Sequence, residues 1–360
     1  MKVLSLYDGM ACGILALIKA EIEIESYDAF EIDKYAIQTA THNFPMIRQH
    51  GDVFNADFTL FKGVDLLCGG SPCTYWSIAQ KNNRETEASG MGWELFSQYV
   101  RAVKEAEPKF FVYENNKSMS KAIRERIDKA FGFEAVLINS ALVSAQNRQR
   151  LYWVGKRNED GTYSKVDIEQ PEDKGILLKD ILETGMDLTG NEKGYTLTAS
   201  YNGAVAWNTI ERSQRNMVAV PVRIGTIESD LKNQSHDSKQ YRVYSPDGKS
   251  TTLCGQGGGV GAKTGLYAVP TKKKESTVYE VKNGLITIKG KQYPIKLADG
   301  FYIIRKLTVK ECMRLQTVPE CYEFPVSNSQ AYKMLGNGWT VDVIAHIFTY
   351  LKESKKQKKG

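Results

Sequence analysis

The strongest constraint on this chain is the alternation of short apolar runs with helix-spaced segments over residues 1 to about 155. Val3-Leu4-Ser5-Leu6 reads as a first strand, and Ile14 to Lys19 as the helix that follows it. Ser26-Tyr27-Asp28-Ala29-Phe30 is a second strand, Asp33 to Asn43 a helix, and Val64-Asp65-Leu66-Leu67-Cys68 a buried strand. Trp93 to Ala106 repeats apolar residues at helical spacing and stops before Pro108. Phe110-Phe111-Val112-Tyr113 is a strand ending at Glu114, Ser118 to Phe131 a helix, and Ala135 to Ser140 and Leu151 to Gly155 further strands. This β-α-β order predicts an α/β fold with a doubly wound sheet, whose ligands sit at the strand C-termini. Asp8, Glu31, Cys73 and Glu114 all fall at such ends.

The region from about 185 to 304 is different. It is rich in Gly, Thr, Ser and Tyr, and its β patterns are short. Val278 to Ile288 is a hairpin signal around Asn283-Gly284. A weak echo pairs Thr196-Leu197-Thr198 before Ala219-Val220-Pro221 with Thr252-Leu253-Cys254 before Ala268-Val269-Pro270. Thr308 to Gln316 and Gln330 to Leu351 return to helical spacing. The expected division is a first domain over 1–184 completed by 328–352, a smaller and mainly β insert over 185–327, and a basic tail over 353–360.

With 42% hydrophobic and 25% charged residues, the 360-residue chain has an ordinary globular composition. No apolar run approaches the roughly 18 residues of a membrane span. The opening Met1-Lys2-Val3-Leu4-Ser5 enters a strand pattern directly, without a signal peptide. A cytoplasmic protein with no membrane partner is expected. The six cysteines form no C-x-x-C pair and the four histidines are scattered, so neither a metal site nor a disulfide framework is expected. The net charge of +6 permits a polyanionic partner.

Gly69-Gly70-Ser71-Pro72-Cys73 follows the buried strand directly. A cysteine on a Gly/Pro turn past a strand end is pushed toward a cleft, where its thiolate is a candidate nucleophile. Asp8-Gly9-Met10-Ala11-Cys12-Gly13 lies between the first strand and its helix, where glycines let a ligand approach the backbone. Its spacing is G-x-x-x-G, not the dinucleotide G-x-G-x-x-G. Glu31 is placed for ribose hydroxyls and Asp52 for an adenine amino group, so an adenosine-bearing cofactor fits.

Gly69 to Cys73, Glu114-Asn115, Gln146-Asn147-Arg148-Gln149-Arg150, Arg305 to Cys312 and Gln330 to Gly338 occur in one order. In that order the chain resembles the DNA cytosine-5 methyltransferases over nearly its whole length. Ser5-Leu6-Tyr7-Asp8-Gly9 is most similar to animal de novo enzymes. Arg242 to Ser245 with Gly257-Gly258-Gly259 is similar to small bacterial restriction-modification enzymes. The resemblance implies a Rossmann-like methyltransferase sheet with an inserted target recognition domain. It also implies transfer of a methyl group from S-adenosylmethionine to carbon 5 of a flipped-out cytosine in a specific short duplex sequence. Cys73 would add to carbon 6 and make carbon 5 nucleophilic. Glu114 would hydrogen-bond ring N3 and the exocyclic amine, Arg150 would hold O2, and Arg148 would fix the geometry around Cys73 and the base.

For the cofactor, the resemblance implies Tyr7 near the adenine, Glu31 on the ribose and Asp52 on the adenine amine. Asp8, Gly9, Gly13, Ile32, Val53 and Pro72 would complete that site, with Asn337 and Trp339 on the methionine side. Ile78 to Gly92 would close as a lid over the flipped base. On the DNA side, Arg242 would read a guanine edge, with Ser77, Thr252, Gln256 and Gly257 near bases and backbone, and Lys239 and Gln240 as further candidates. The implied partners are double-stranded DNA, bound as a monomer, and a cognate restriction endonuclease acting on the same site, in a bacterial or phage-infected cell near the nucleoid. A tRNA cytosine-5 methyltransferase and a catalytically silent DNA-binding relative are the alternatives.

Overall fold

The structure, a computed structural model, describes residues 1–77, 84–221 and 278–352. Five parallel strands come first: β1 (Lys2–Leu6), β2 (Ser26–Phe30), β3 (Arg48–Gln49), β4 (Leu66–Gly69) and β5 (Phe110–Asn116). β6 (Val136–Asn139) and β7 (Gln149–Arg157) follow, with β7 inserted antiparallel between β5 and β6. The spatial order is β3-β2-β1-β4-β5-β7-β6, and the short β8 (Tyr163–Lys165) pairs with the far end of β7. The chain winds outward from β1 to β2 and β3, then restarts on the other side at β4. The switch point therefore lies between β1 and β4, and a doubly wound sheet takes its ligand there.

Helices α1 (Cys12–Lys19), α2 (Lys34–Asn43), α3 (Gly90–Ala106) and α4 (Lys121–Phe131) connect the strands. Their boundaries follow local chemistry. Asp33 caps α2 by accepting from the Tyr35 amide at 3.0 Å, and Ser120 caps α4 by accepting from Ile123 at 3.2 Å. Gly132 ends α4 at φ +84°, the left-handed conformation such a stop requires. Period-two alternation sends Leu4, Leu6, Leu67, Phe111, Tyr113, Leu151 and Trp153 to one sheet face. Phe96, Tyr99, Val103, Ile123, Ile127 and Phe131 of α3 and α4 close over them. Burying each such side chain stabilises the fold by roughly 1.5–3 kcal/mol.

One boundary differs from the sequence reading. β5 does not end at Glu114 but continues to Asn116, because β7 pairs with it through Glu114↔Tyr152 and Asn116↔Arg150. That register places Glu114 and Arg150 diagonally on one face, within reach of long side chains.

The described residues form two compact units. One contains Met1–Ile176, Leu197–Asn202 and the chain from Cys312; the other contains the described parts of Leu177–Thr196 and Gly203–Glu311. In the second unit, β9 (Met186–Asp187), β10 (Met217–Pro221), β11 (Val278–Lys282), β12 (Leu285–Ile288), β13 (Lys291–Pro294) and β14 (Gly300–Lys306) form an antiparallel sheet in the order β13-β12-β11-β14-β10-β9. The expected hairpin is present. Asn283 and Gly284 turn it with φ of 51° and 69°, the pair of left-handed residues that a tight turn between twisted strands needs. At the end of this unit, Arg305 grips the fully buried Glu311 through both guanidinium nitrogens at 2.9 Å. Thr308 and Glu311 exchange side chain and backbone hydrogen bonds as a capping box. The Arg305 to Glu311 segment thus holds its own unit together. Among the described residues, no helix is long and apolar enough to cross a membrane.

Candidate active site

At the C-terminal ends of β1, β2, β4 and β5, within the first unit, lies a cleft of about 520 Å³. Its first wall is made of tight local turns. Tyr7, Gly9 and Ala11 alternate in the left-handed region at φ near 60°, which curls the β1–α1 loop and aims the Gly9 amide at Glu31. The Gly9 amide donates to Glu31 Oε2 at 2.8 Å, while Oε1 accepts from Ile32 at 2.7 Å and Asp33 at 2.8 Å. Asp52 accepts from the Phe54 amide at 3.0 Å. Beside these carboxylates, Ile32 and Phe54 line the cleft while 73% and 44% exposed. Tyr7 donates its hydroxyl to the Leu95 carbonyl at 2.7 Å.

Asp8 is the unusual member of this wall. Its Oδ1 accepts from Tyr27 at 2.6 Å and Ser5 at 2.7 Å, yet its buried Oδ2 receives no hydrogen bond from the protein. Burial pushes the Asp8 carboxyl up to about 6, against the Ser5 and Tyr27 hydrogen bonds and with help from the nearby Glu31 charge. The residue as a whole is only half-buried; it is Oδ2 that is sequestered.

The second wall joins distant segments. Arg150 Nε pairs with Glu114 Oε1 at 3.0 Å, and the Trp339 indole N–H donates to Glu114 Oε2 at 3.0 Å. Arg148 is buried and donates to the carbonyls of Leu197 at 2.8 Å, Gly336 at 3.2 Å and Gly338 at 2.8 Å. It therefore fastens the 336–338 turn. Gly70 is forced by this arrangement: a Cβ there would lie 2.7 Å from the Glu114 carbonyl oxygen. Buried Asn115 reaches back to the Ser71 carbonyl at 3.2 Å and the Tyr113 hydroxyl at 3.1 Å, fixing the Gly-Ser-Pro turn.

Cys73 opens the short 3-10 turn Cys73–Tyr75, one residue past Pro72 on the cleft. Its side chain lies outside the described part of the structure. Two other thiols are disqualified by position: Cys12 and Cys68 are buried, and burial pushes both up to about 12.

Of the expected cofactor residues, Tyr7, Asp8, Gly9, Glu31, Ile32, Asp52, Val53, Pro72, Asn337 and Trp339 line the one cleft. Gly13 does not. A Cβ there would sit 2.7 Å from the Tyr27 hydroxyl, so Gly13 allows α1 to lie close against β2. Ser77 is half-buried, two residues past the Cys73–Tyr75 turn. Arg242, Thr252, Gln256, Gly257, Lys239, Gln240, residues 78–83 and the tail 353–360 lie outside the described residues. The remainder of the expected lid is anchored: Arg84 donates to the Ser118 carbonyl at 2.7 Å, and Glu85 accepts from Trp76 at 3.1 Å and from Gly92 in the first turn of α3.

Gln316 escaped the sequence reading. Buried, it donates to the Leu335 carbonyl and accepts from Gln146 and Thr340, each at 2.9 Å. No local pattern marks it, because its partners lie far along the chain or in another turn. Among the described residues, no group of His, Cys, Asp and Glu could hold a metal ion.

The chain is similar to proteins of known kind over almost its full length. It is 27% identical to the orphan methyltransferase M.SPRI of Bacillus phage SPR, covering 98% of this chain and 97% of that one. Against the type II methyltransferase M.HhaI of Haemophilus parahaemolyticus it is 25% identical, covering 96% and 93%. Among solved structures, the S. pombe Dnmt2 methyltransferase superposes with a TM-score of 0.53 at 15% identity, covering 98% of each chain. The Entamoeba histolytica methyltransferase EhMeth does so with 0.58 at 12%, covering 98% of this chain and 97% of that one. These two show the same fold. Residues 1–353 match the C-5 cytosine-specific DNA methylase family, so the chain belongs to it, is a DNA methyltransferase acting at carbon 5 of cytosine, and has S-adenosylmethionine implied as its methyl donor.

Proposed function

We propose that the cleft binds S-adenosylmethionine along its first wall and a flipped-out cytosine along its second, with Cys73 as the nucleophile. The observation that carries this reading is that Glu114, Arg150 and Trp339 meet in the same cleft as Asp8, Glu31 and Asp52. The first wall fits the cofactor. A volume of about 520 Å³ suits a nucleoside-sized ligand, and exposed Ile32 and Phe54 offer an apolar slot for an adenine beside two carboxylates. The orphaned Asp8 Oδ2 is a ready acceptor for a cationic ligand group.

When bound, S-adenosylmethionine supplies an electrophilic methyl group. The chain's own residues do the rest. The Cys73 thiolate adds to carbon 6 of cytosine, and the displaced pair makes carbon 5 nucleophilic. Glu114 shares a proton with N3, which accepts, and accepts in turn from the exocyclic amine, while Arg150 holds O2. Once carbon 5 has taken the methyl group, water takes the carbon 5 proton, and the electron pair left behind re-forms the 5,6 double bond and expels the Cys73 thiolate. Arg148, with its donors on three backbone carbonyls, supports the wall instead of the base. The inserted unit selects a short duplex sequence through Arg242, Thr252, Gln256 and Gly257, with Ser77 near the base. The enzyme works on DNA as a monomer in the cytoplasm, with a restriction endonuclease of the same site as a further partner.

Duplex DNA carrying 5-fluorocytosine tests the reading, because fluorine blocks the release step. The native chain with S-adenosylmethionine should form a denaturant-stable adduct, and Cys73→Ala should bind the duplex without forming one. An adduct with Cys73→Ala, or none with the native chain on DNA that bisulfite sequencing shows it to methylate, overturns the role of Cys73.

A further inference from the structure

Both oxygens of the Glu114 carboxyl are already occupied, and by different kinds of donor. Oε1 faces the Arg150 guanidinium and Oε2 faces the Trp339 indole N–H, each at 3.0 Å. Glu114 is only 12% exposed, and Gly70 crowds Oε2 from the other side, since a Cβ at Gly70 would lie 3.0 Å from it. The carboxyl therefore has one orientation. The indole is held just as firmly. Arg148 and Gln316 both donate to the Gly338 carbonyl before it, at 2.8 and 3.2 Å. Thr340 after it donates to Gln316 and accepts from Ser140, each at 2.9 Å. This network fixes the backbone on both sides of Trp339 by side chains that line no part of the base pocket except Arg148.

We infer that Trp339 is a positioning residue that sets the enzyme's preference for cytosine over uracil, by keeping Glu114 Oε2 a hydrogen-bond acceptor. The inference rests on the proposed role of Glu114. An indole N–H donates and never accepts. Its bond to Oε2 occupies one lone pair and favours a proton shared with the base on Oε1 over one on Oε2. Along the edge of the base, O2, N3 and the exocyclic group follow in order. With Arg150 at O2, Oε1 beside it faces N3, and Oε2 beside Trp339 faces the exocyclic group. Cytosine N3 accepts and its exocyclic amine donates, so cytosine needs the one proton shared with the carboxyl on Oε1, leaving the second lone pair of Oε2 to accept from the amine. Uracil N3–H donates and its exocyclic oxygen accepts, so uracil needs that proton on Oε2, the oxygen the indole N–H already faces, and without it a buried acceptor pair is left, which is costly. Without the indole, Oε2 is free to carry the proton and to accommodate uracil.

The test compares tritiated methyl transfer to duplexes holding cytosine or uracil at the target position. Trp339→Phe keeps an aromatic ring and removes the N–H. The ratio of kcat/KM for cytosine over uracil should fall about ten-fold, the worth of one such hydrogen bond. Equal losses on both bases, leaving the ratio unchanged, overturn the inference, as does a change confined to the KM for S-adenosylmethionine. Circular dichroism and cooperative thermal unfolding check that the variant is folded. If it is not, benzothienylalanine at position 339, which has sulfur where the indole has N–H, makes the same comparison. Glu114→Gln is assayed beside it. If Glu114→Gln turns over normally, the role of Glu114 falls and this inference with it. If Glu114→Gln is inactive and the ratio in Trp339→Phe is unchanged, only the inference falls.

Discussion

The two walls of the cleft are built by opposite means. On the first, Glu31 and Asp52 are held by amides close by in sequence or in the adjacent turn: Glu31 by Ile32, Asp33 and Gly9, Asp52 by Phe54. On the second, partners lie far apart. Glu114 and Trp339 are 225 residues apart, and Arg148 and Gly338 are 190 apart. A wall of local turns can form wherever its strands end. A wall of distant partners exists only when the whole unit has folded, so its stability and its chemistry are tied together.

The sharpest test of that contrast is Arg148→Ala. It takes the guanidinium from the Leu197 and Gly336 carbonyls and leaves the Gly338 carbonyl to Gln316, all in a buried place, and should lower the unfolding free energy by about 3–5 kcal/mol in urea titration. A loss below about 1 kcal/mol would mean the second wall does not depend on its long-range ties.

Asp8 probes the first wall. Its pKa is raised from 3.8 to about 6 in the folded chain, so between these values the folded state binds more protons than the unfolded one. Stability therefore falls as pH rises from about 4 to 6, by on the order of 3 kcal/mol from this group. Asp8→Asn should flatten that part of the pH profile, measured by denaturant unfolding of the protein without cofactor. A profile parallel to the native one would remove the buried charge from the account.

Two glycines complete the comparison. Gly70→Ala pushes a methyl group against the Glu114 backbone and should cost about 2 kcal/mol, with a slower single-turnover rate on DNA. Gly9→Ala meets nothing within 4 Å and carries only the strain of φ +60°, so about 1 kcal/mol is expected from thermal unfolding. Reversal of that order would show the local wall to be the more tightly packed.

The same contrast explains what could be read from the sequence. Apolar periodicity identified β1, β2 and β5 and the helices between them, because each buries a regular face. Asp8, Glu31 and Asp52 could be placed because strand ends determine where they point. The extension of β5 through Glu114-Asn115-Asn116 was not legible, since those polar residues are held by pairing with β7 and not by their own propensity. The ordered motifs brought Glu114, Arg148 and Arg150 together. They did not reveal that Arg148 binds backbone carbonyls, or that Gln316 joins Gln146 to Thr340. Such bonds leave no trace in local spacing.

The 225 residues between Glu114 and Trp339 also set a clock. At a synthesis rate of about 5–20 residues per second, the Glu114 carboxylate waits roughly 10–45 seconds for its indole partner. Throughout that interval the growing chain holds the first wall's turns but only part of the second wall. That wall is complete only after Trp339 has left the ribosome, so products of translation truncated before it lack one side of the cleft.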